Sequence, residues 1–202
     1  LCHYDDAIKW WKIAAEKGNA NAQYCLGECY RDGIAVKPND SIAAKWWKKA
    51  AKNGHDLALL ELGYCYYEGN GVELDYMKAI DCWIEAAEKG NVRAQFLIAE
   101  EFYHGNIIKK NLTKAVYWYK AAAEQGSIYA QYAIGYCYEN GEGIETNHEK
   151  AITWYKKSAE KGHIDSLKVL AEKYGGGGHD TAAAIPLDYN NKSKIVDTLF
   201  KF

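Results

Sequence analysis

No uninterrupted apolar run approaches the roughly 20 residues needed to span a bilayer, which excludes a membrane-crossing helix in this stretch. The chain also lacks an excess of either charge. Its 25 Lys+Arg against 27 Asp+Glu leave a formal charge of −2 and a pI near 6.3. Nucleic acid and anionic membranes are therefore given no net attraction. The basic residues lie on outer helix faces without gathering into a stripe, so duplex binding is not expected. Catalytic signatures are missing as well: there is no serine elbow, no phosphate loop with a lysine, and His148-Glu149 lacks the second histidine of a zinc protease. No metal and no cofactor is expected. The six cysteines include no Cys-x-x-Cys pair, which argues against a zinc site. Cys29, Cys65 and Cys137 occupy one slot in three copies of a repeat, with Glu101 in the fourth. Equivalent slots lie side by side rather than in pairs, so the expectation is packing thiols in a reducing, cytoplasmic setting.

What the chain does have is a period of 36 residues. A glycine closes each unit: Gly18, Gly54, Gly90, Gly126 and Gly162. A small pair precedes it, Ala14-Ala15, Ala50-Ala51, Ala86-Ala87, Ala122-Ala123 and Ser158-Ala159. Earlier still stands a pair containing an aromatic: Trp10-Trp11, Trp46-Trp47, Cys82-Trp83, Trp118-Tyr119 and Trp154-Tyr155. A fixed period of this length specifies a solenoid of helix pairs, and solenoids mostly bind rather than transform.

Within one unit, Ala58, Leu62, Cys65 and Tyr66 form the stripe of an amphipathic helix. Gly63 sits inside that helix, as do Gly27 and Gly135 in theirs, with Ala99 and Ala171 in the remaining copies. A mid-helix glycine costs about 1 kcal/mol against alanine, and its recurrence predicts a close helix–helix approach. Gly69, matched by Gly33, Gly105 and Gly141, predicts a left-handed helix end. After the loop 70–75, a second helix runs from Tyr76 to about Lys89, with Ala79, Trp83, Ala86 and Ala87 inward. The large aromatics are expected in the core, in the wedge toward the next pair. His55 and His163, just after a closing glycine, are expected to cap the next helix.

The pattern Ala-x3-Leu-Gly-x2-Tyr-x2-Gly, then Lys-Ala-x2-Trp-x3-Ala-Ala-Glu-x-Gly, is carried by Ala58, Leu62, Gly63, Tyr66 and Gly69, then Lys78, Ala79, Trp83 (one place along), Ala86, Ala87, Glu88 and Gly90. It resembles the Sel-one-like repeat family, a cousin of the tetratricopeptide repeat with a longer loop, over residues 5 to about 174. The resemblance implies an all-α fold, an α/α superhelical solenoid of about five helix pairs, acting as an adaptor for protein complexes rather than an enzyme. Some bacterial members are cysteine-bridged within each repeat; the spacing here departs from theirs.

In such arrays the first helix of each pair lines the concave side. Its non-core positions are Tyr24, Glu28, Arg31; Leu60, Tyr64, Tyr67; Phe96, Glu100, Tyr103; and Tyr132, Tyr136, Glu139. Stacked, they make an aromatic stripe flanked by carboxylates, the composition of a protein-binding hot spot. The expected occupant is a peptide or helix of another protein. The row Tyr24 to Tyr132 has a second reading, as packing between neighbouring repeats.

The register persists through one more first helix, with Leu170, Ala171 and Tyr174 in place, and then fails. Pro186 interrupts the following stretch, 184–187 reads as extended, and 193–202 as an amphipathic helix that caps the array. The run Gly175, Gly176, Gly177, Gly178, His179 with Ala182-Ala183 resembles the glycine-rich motif of the C-terminal domain of DHH-family phosphoesterases. That likeness implies that the glycine backbone cradles a nucleotide and His179 touches it. The alternative function is then the C-terminal part of such an oligonuclease, with the repeats as an insertion. The metal-binding Asp-His-His half is not in this sequence, and the family's usual glycine is Ala184. At the other end, Leu1 opens inside a repeat, so upstream residues are expected; a cleaved signal peptide would make the protein secreted instead.

Overall fold

The computed structural model describes residues 4–174. Every described element is helical: α1 (Tyr4–Glu16), α2 (Ala20–Asp32), α3 (Asp40–Lys52), α4 (Asp56–Glu68), α5 (Tyr76–Glu88), α6 (Val92–His104), α7 (Leu112–Glu124), α8 (Ile128–Asn140), α9 (His148–Glu160) and the short α10 (Ile164–Val169). The chain divides into two compact units, 1–98 and 99–202, with the division inside α6.

Equal lengths follow from equal punctuation. Each long connection leaves a first helix through a left-handed glycine, with φ of 71° at Gly33, 74° at Gly69 and 71° at Gly141. It re-enters through an Asx residue whose side chain accepts from a first-turn amide. Asn39, Asp75 and Asn111 do so at 3.0 Å and Asn147 at 2.9 Å. Such a cap contributes about 1 kcal/mol. The same four residues donate their own N–H to the preceding helix, at the carbonyls of Tyr30, Tyr66, Phe102 and Tyr138, over 2.7–2.9 Å. Each loop is thereby closed at both ends.

Short connections use a different device. On α2, α6 and α8 a buried glutamine reaches back to a carbonyl near the end of the preceding helix. Gln23 donates to Ala15 at 2.9 Å, and Gln95 and Gln131 donate to Ala87 and Ala123 at 3.1 Å. These carbonyls lie at a helix C-terminus and also accept from the closing glycines Gly18, Gly90 and Gly126 at 3.0 Å, so the glutamine supplies a second donor there.

The core of the first unit alternates alanine with large rings. Ala43, Ala44, Ala50, Ala58 and Cys65 surround Trp47; Ile8, Ala15, Ala22, Leu26 and Cys29 form a neighbouring cluster. The mid-helix glycines explain how α2 and α4 accept those rings. A Cβ on Gly63 would overlap the indole of Trp83, and one on Gly27 the indole of Trp47. In the second unit a Cβ on Gly135 would stand 2.9 Å from the Tyr155 ring. Trp47, Trp83 and Tyr155 therefore pack on the glycine of their own helix pair, not in a wedge toward the next. The first aromatic corrects the expectation further. Trp10 is 70% exposed, while Trp46 and Trp154 are half-buried under Lys49 and Lys157 at 4.2 Å. A ring one position along a helix is rotated by about 100°, which carries it out of the core.

The last first helix also departs from expectation. It runs as α-helix only to Val169 and widens into a π-turn over Leu170–Tyr174. The glycine run Gly175–Gly178, His179 and the expected capping helix lie outside the described residues.

Candidate partner-binding faces

In the first unit, α2 and α4 stand side by side, joined by Arg31 Nη1 donating to Glu61 Oε2 at 3.0 Å. Arg31 also forks onto both oxygens of Asp32, at 2.7 and 3.1 Å, and lies 3.8 Å from Glu28. Its guanidinium sits 5.4 Å above the Trp47 ring. The hydrogen bonds to Asp32 and the surrounding carboxylates raise its already high pKa further. Glu61 is the least exposed carboxylate of this set, at 19%. Burial raises its pKa, and the charges of Arg31 and Arg93 oppose that shift.

Beside this ion pair is a groove of about 310 Å³ lined by Arg31, Trp47, Glu61, Tyr64, Glu68 and Arg93, with Asp40, Cys65 and Asn70 completing it. Arg93, from α6, lays its guanidinium 5.0 Å over the Tyr64 ring, and that ring also meets Trp83 edge-on at 5.4 Å. Burial raises the Tyr64 pKa. Burial also pushes the Cys65 thiol up to about 12, which makes it a poor nucleophile. The groove therefore offers planar stacking and charge, and no activated group.

The expected contact residues separate into three kinds here. Tyr67 is 38% exposed, resting on Trp83 and Tyr76, each at 5.4 Å. Tyr24 stacks flat on His55 at 4.3 Å while its hydroxyl donates to Glu28 at 3.1 Å. Leu60 is buried and Phe96 half-buried. Tyr24 thus follows the packing reading. His55 is correspondingly no hydrogen-bonding cap: it occupies the N-cap of α4 without a side-chain bond, whereas His163 Nδ1 does accept from Ser166 N at 3.2 Å.

In the second unit the carboxylates are engaged within the fold. Tyr119 donates to Glu100 at 2.5 Å and Tyr155 to Glu139 at 2.8 Å. Glu139 also pairs with Lys173 at 2.9 Å and keeps only 8% of its side chain exposed. Tyr132 lies between His163 at 4.8 Å and Tyr155 at 5.6 Å. Tyr103 is half-buried, under Lys110 at 5.4 Å and edge-on to Tyr119 at 6.1 Å. Tyr136, 38% exposed, is the most open tyrosine of this set.

Sequence reasoning missed Glu61 and Arg93, although a signal existed. Glu61 stands where other copies have Cys25, Leu97 and Ala133; Arg93 where they have Asn21, Leu57 and Tyr129. The Glu61 slot is otherwise apolar in those copies and the Arg93 slot follows no single residue type, so neither charge is required by the packing of the repeat.

Among the described residues no cluster of three or more His, Cys, Asp or Glu could hold a metal, and no helix is long and apolar enough to cross a membrane. The family described as Sel1 repeat matches residues 4–19, 20–55, 56–91, 92–127 and 128–163. A Sel1 repeat protein from Oxalobacter formigenes is 33% identical, with 96% of this chain and 78% of that one covered and a TM-score of 0.77. A protective antigen of uropathogenic Escherichia coli is 34% identical over 81% of this chain, with the same TM-score of 0.77. This chain spans 35% of the length of that antigen. An immunity protein, PA5088, from Pseudomonas aeruginosa shares the fold at 18% identity, with 98% and 75% of the two chains covered and a TM-score of 0.53. No curated protein matches the chain.

Proposed function

This chain belongs to the Sel1 repeat family, and on that footing we propose that it is an adaptor that holds a peptide or helix of a partner protein on its first-in-pair helices. Proteins built from these repeats generally serve as interaction scaffolds, and the fold is an all-α helix-pair solenoid. The observation that carries the reading is the groove beside Tyr64, where stacked rings and guanidinium groups meet without any activated nucleophile. Rigid aromatics and arginine are the residues that dominate binding energy at protein interfaces. Tyr67 and Tyr136 extend the same type of surface, one in each unit.

Site-specific photocrosslinking tests this. A benzoylphenylalanine replacing Tyr67 or Tyr136 is expected to form discrete adducts with a partner in the native host. The same group at Lys48, an exposed residue of α3, is expected to form none. Adducts of equal yield from position 48 would remove the basis for assigning the face.

A further inference from the structure

The groove in the first unit carries five charged groups, and three of them have a hydrogen-bonding or ionic partner. Arg31 is held by Asp32 and Glu61. Glu61 is held by Arg31. Glu68 accepts from Asn70 Nδ2 at 2.6 Å. Asp40 lies in the first turn of α3, at the positive end of that helix. The fifth group, Arg93, has no carboxylate within ion-pair distance among the described residues, although its charge reaches Glu61 and its guanidinium meets the Tyr64 side chain. It is exposed, yet its plane is positioned by the Tyr64 ring at 5.0 Å.

That combination is informative because an exposed arginine ordinarily gives up side-chain freedom when it binds. A guanidinium already resting on an aromatic face has less to lose, and its fork presents two parallel donors suited to one carboxylate. The slot is also free of the repeat: the equivalents of Arg93 are Asn21, Leu57, Tyr129 and Asp165, so no packing rule of the fold calls for arginine here. Lining the same groove, the half-buried Tyr64 offers ring surface next to the charge, with Trp47 buried beneath Arg31.

We infer that this groove binds an acidic segment of the partner protein, with an Asp or Glu side chain taken by the Arg93 fork and an adjacent apolar or aromatic residue laid along Tyr64. The inference rests on the adaptor reading and narrows it to a partner chemistry. A basic segment is the opposing possibility, since Asp40, Glu61 and Glu68 also line the groove. Glu61 is already paired with Arg31, Glu68 accepts from Asn70 and Asp40 stands at the positive end of α3, which weakens their pull on a cation.

The test is selection from a phage-displayed library of random dodecapeptides on the intact chain, followed by synthesis of the enriched peptides with blocked ends. The expected consensus contains Asp or Glu beside an apolar or aromatic residue. Replacing that acid by its amide, or introducing Arg93→Gln, should each weaken binding roughly tenfold or more, as loss of a charge-assisted pair does. Arg93→Lys should recover only part of the loss. The fold of each variant is checked by far-UV circular dichroism. Peptides that protect Tyr64 and Arg93 resonances but are basic, or bind Arg93→Gln unchanged, overturn the acidic-segment inference and leave the adaptor reading standing. No enriched peptide, or peptides that shift residues only outside the first-in-pair helices, would overturn both.

Discussion

The indole of Trp83 fills the space that a Cβ on Gly63 would need, and its Nε1–H donates to the Leu60 carbonyl at 3.3 Å. Gly63→Ala should therefore lower stability even though alanine is the better helix former by about 1 kcal/mol. Overpacking of a filled site costs about 1–3 kcal/mol, so a net loss of up to about 2 kcal/mol is expected, read as a lower denaturation midpoint of the first unit. An unchanged or raised midpoint would mean that the indole moves aside freely.

Tyr155→Phe removes one hydroxyl and leaves the volume nearly constant, so it isolates the bond to Glu139 at 2.8 Å. A hydrogen bond to a charged acceptor contributes about 1.5–3 kcal/mol. A loss in that range is expected, and Glu139→Gln should make the same tyrosine change cheaper. Additive effects in that double-mutant cycle would show that the pair does not act as a pair.

Acid should loosen both units through their N-cap histidines. His55 and His163 have pKa values lowered from 6.5, each chiefly by burial, with Asp56 and Glu28 partly opposing this at His55 and Asp165 at His163. The unfolded chain therefore takes up these protons first. Their stabilising contribution is complete above pH 6.5 and falls as the pH drops through that value, until the folded rings protonate too. Denaturation at pH 7.5, 6.5 and 5.5 should show the decline, and His55→Gln should flatten part of it. A stability that rises toward pH 5.5 because of these residues would contradict the burial argument.

Thiol labelling should sort the cysteines by depth. Cys65 and Cys137 are buried, with thiols pushed up to about 12. Because the thiolate is the reactive form, iodoacetamide at pH 8 should leave both unmodified in the folded chain and alkylate both in denaturant. Cys25, half-buried on α2, should react sooner. Rapid native labelling of Cys65 would place its helix face in solvent.

The register was enough to read the helices, the left-handed glycines and the inner alanines, because each depends on local rules that repeat with the period. The site was only partly legible. Tyr64 and Arg31 were identified from their place on the helix, but the partners that engage Glu100 and Glu139 come from the neighbouring helix of the pair. One copy alone gives no indication that Tyr119 and Tyr155, standing where Trp47 and Trp83 stand elsewhere, would use a hydroxyl that tryptophan lacks. His55 misled for a similar reason: stacking on Tyr24 is a contact between repeats. Glu61 and Arg93 were detectable only by asking where the repeat is broken.

The loop closures have a consequence for how such a chain can diversify. Residue pairs Gly33/Asn39, Gly69/Asp75, Gly105/Asn111 and Gly141/Asn147 bound each long loop with the left-handed turn at one end and the Asx latch at the other. Ile34, Val36 and Val72 between them pack against the core, so a graft has to keep the apolar loop residues and change the exposed ones. Gly71 marks a limit, since a side chain at that position would run into the backbone at Asp40. The five residues of 106–110 contain no such glycine, but Ile107 and Ile108 are half-buried, so a new binding loop is best inserted beside the exposed Asn106 or Lys109.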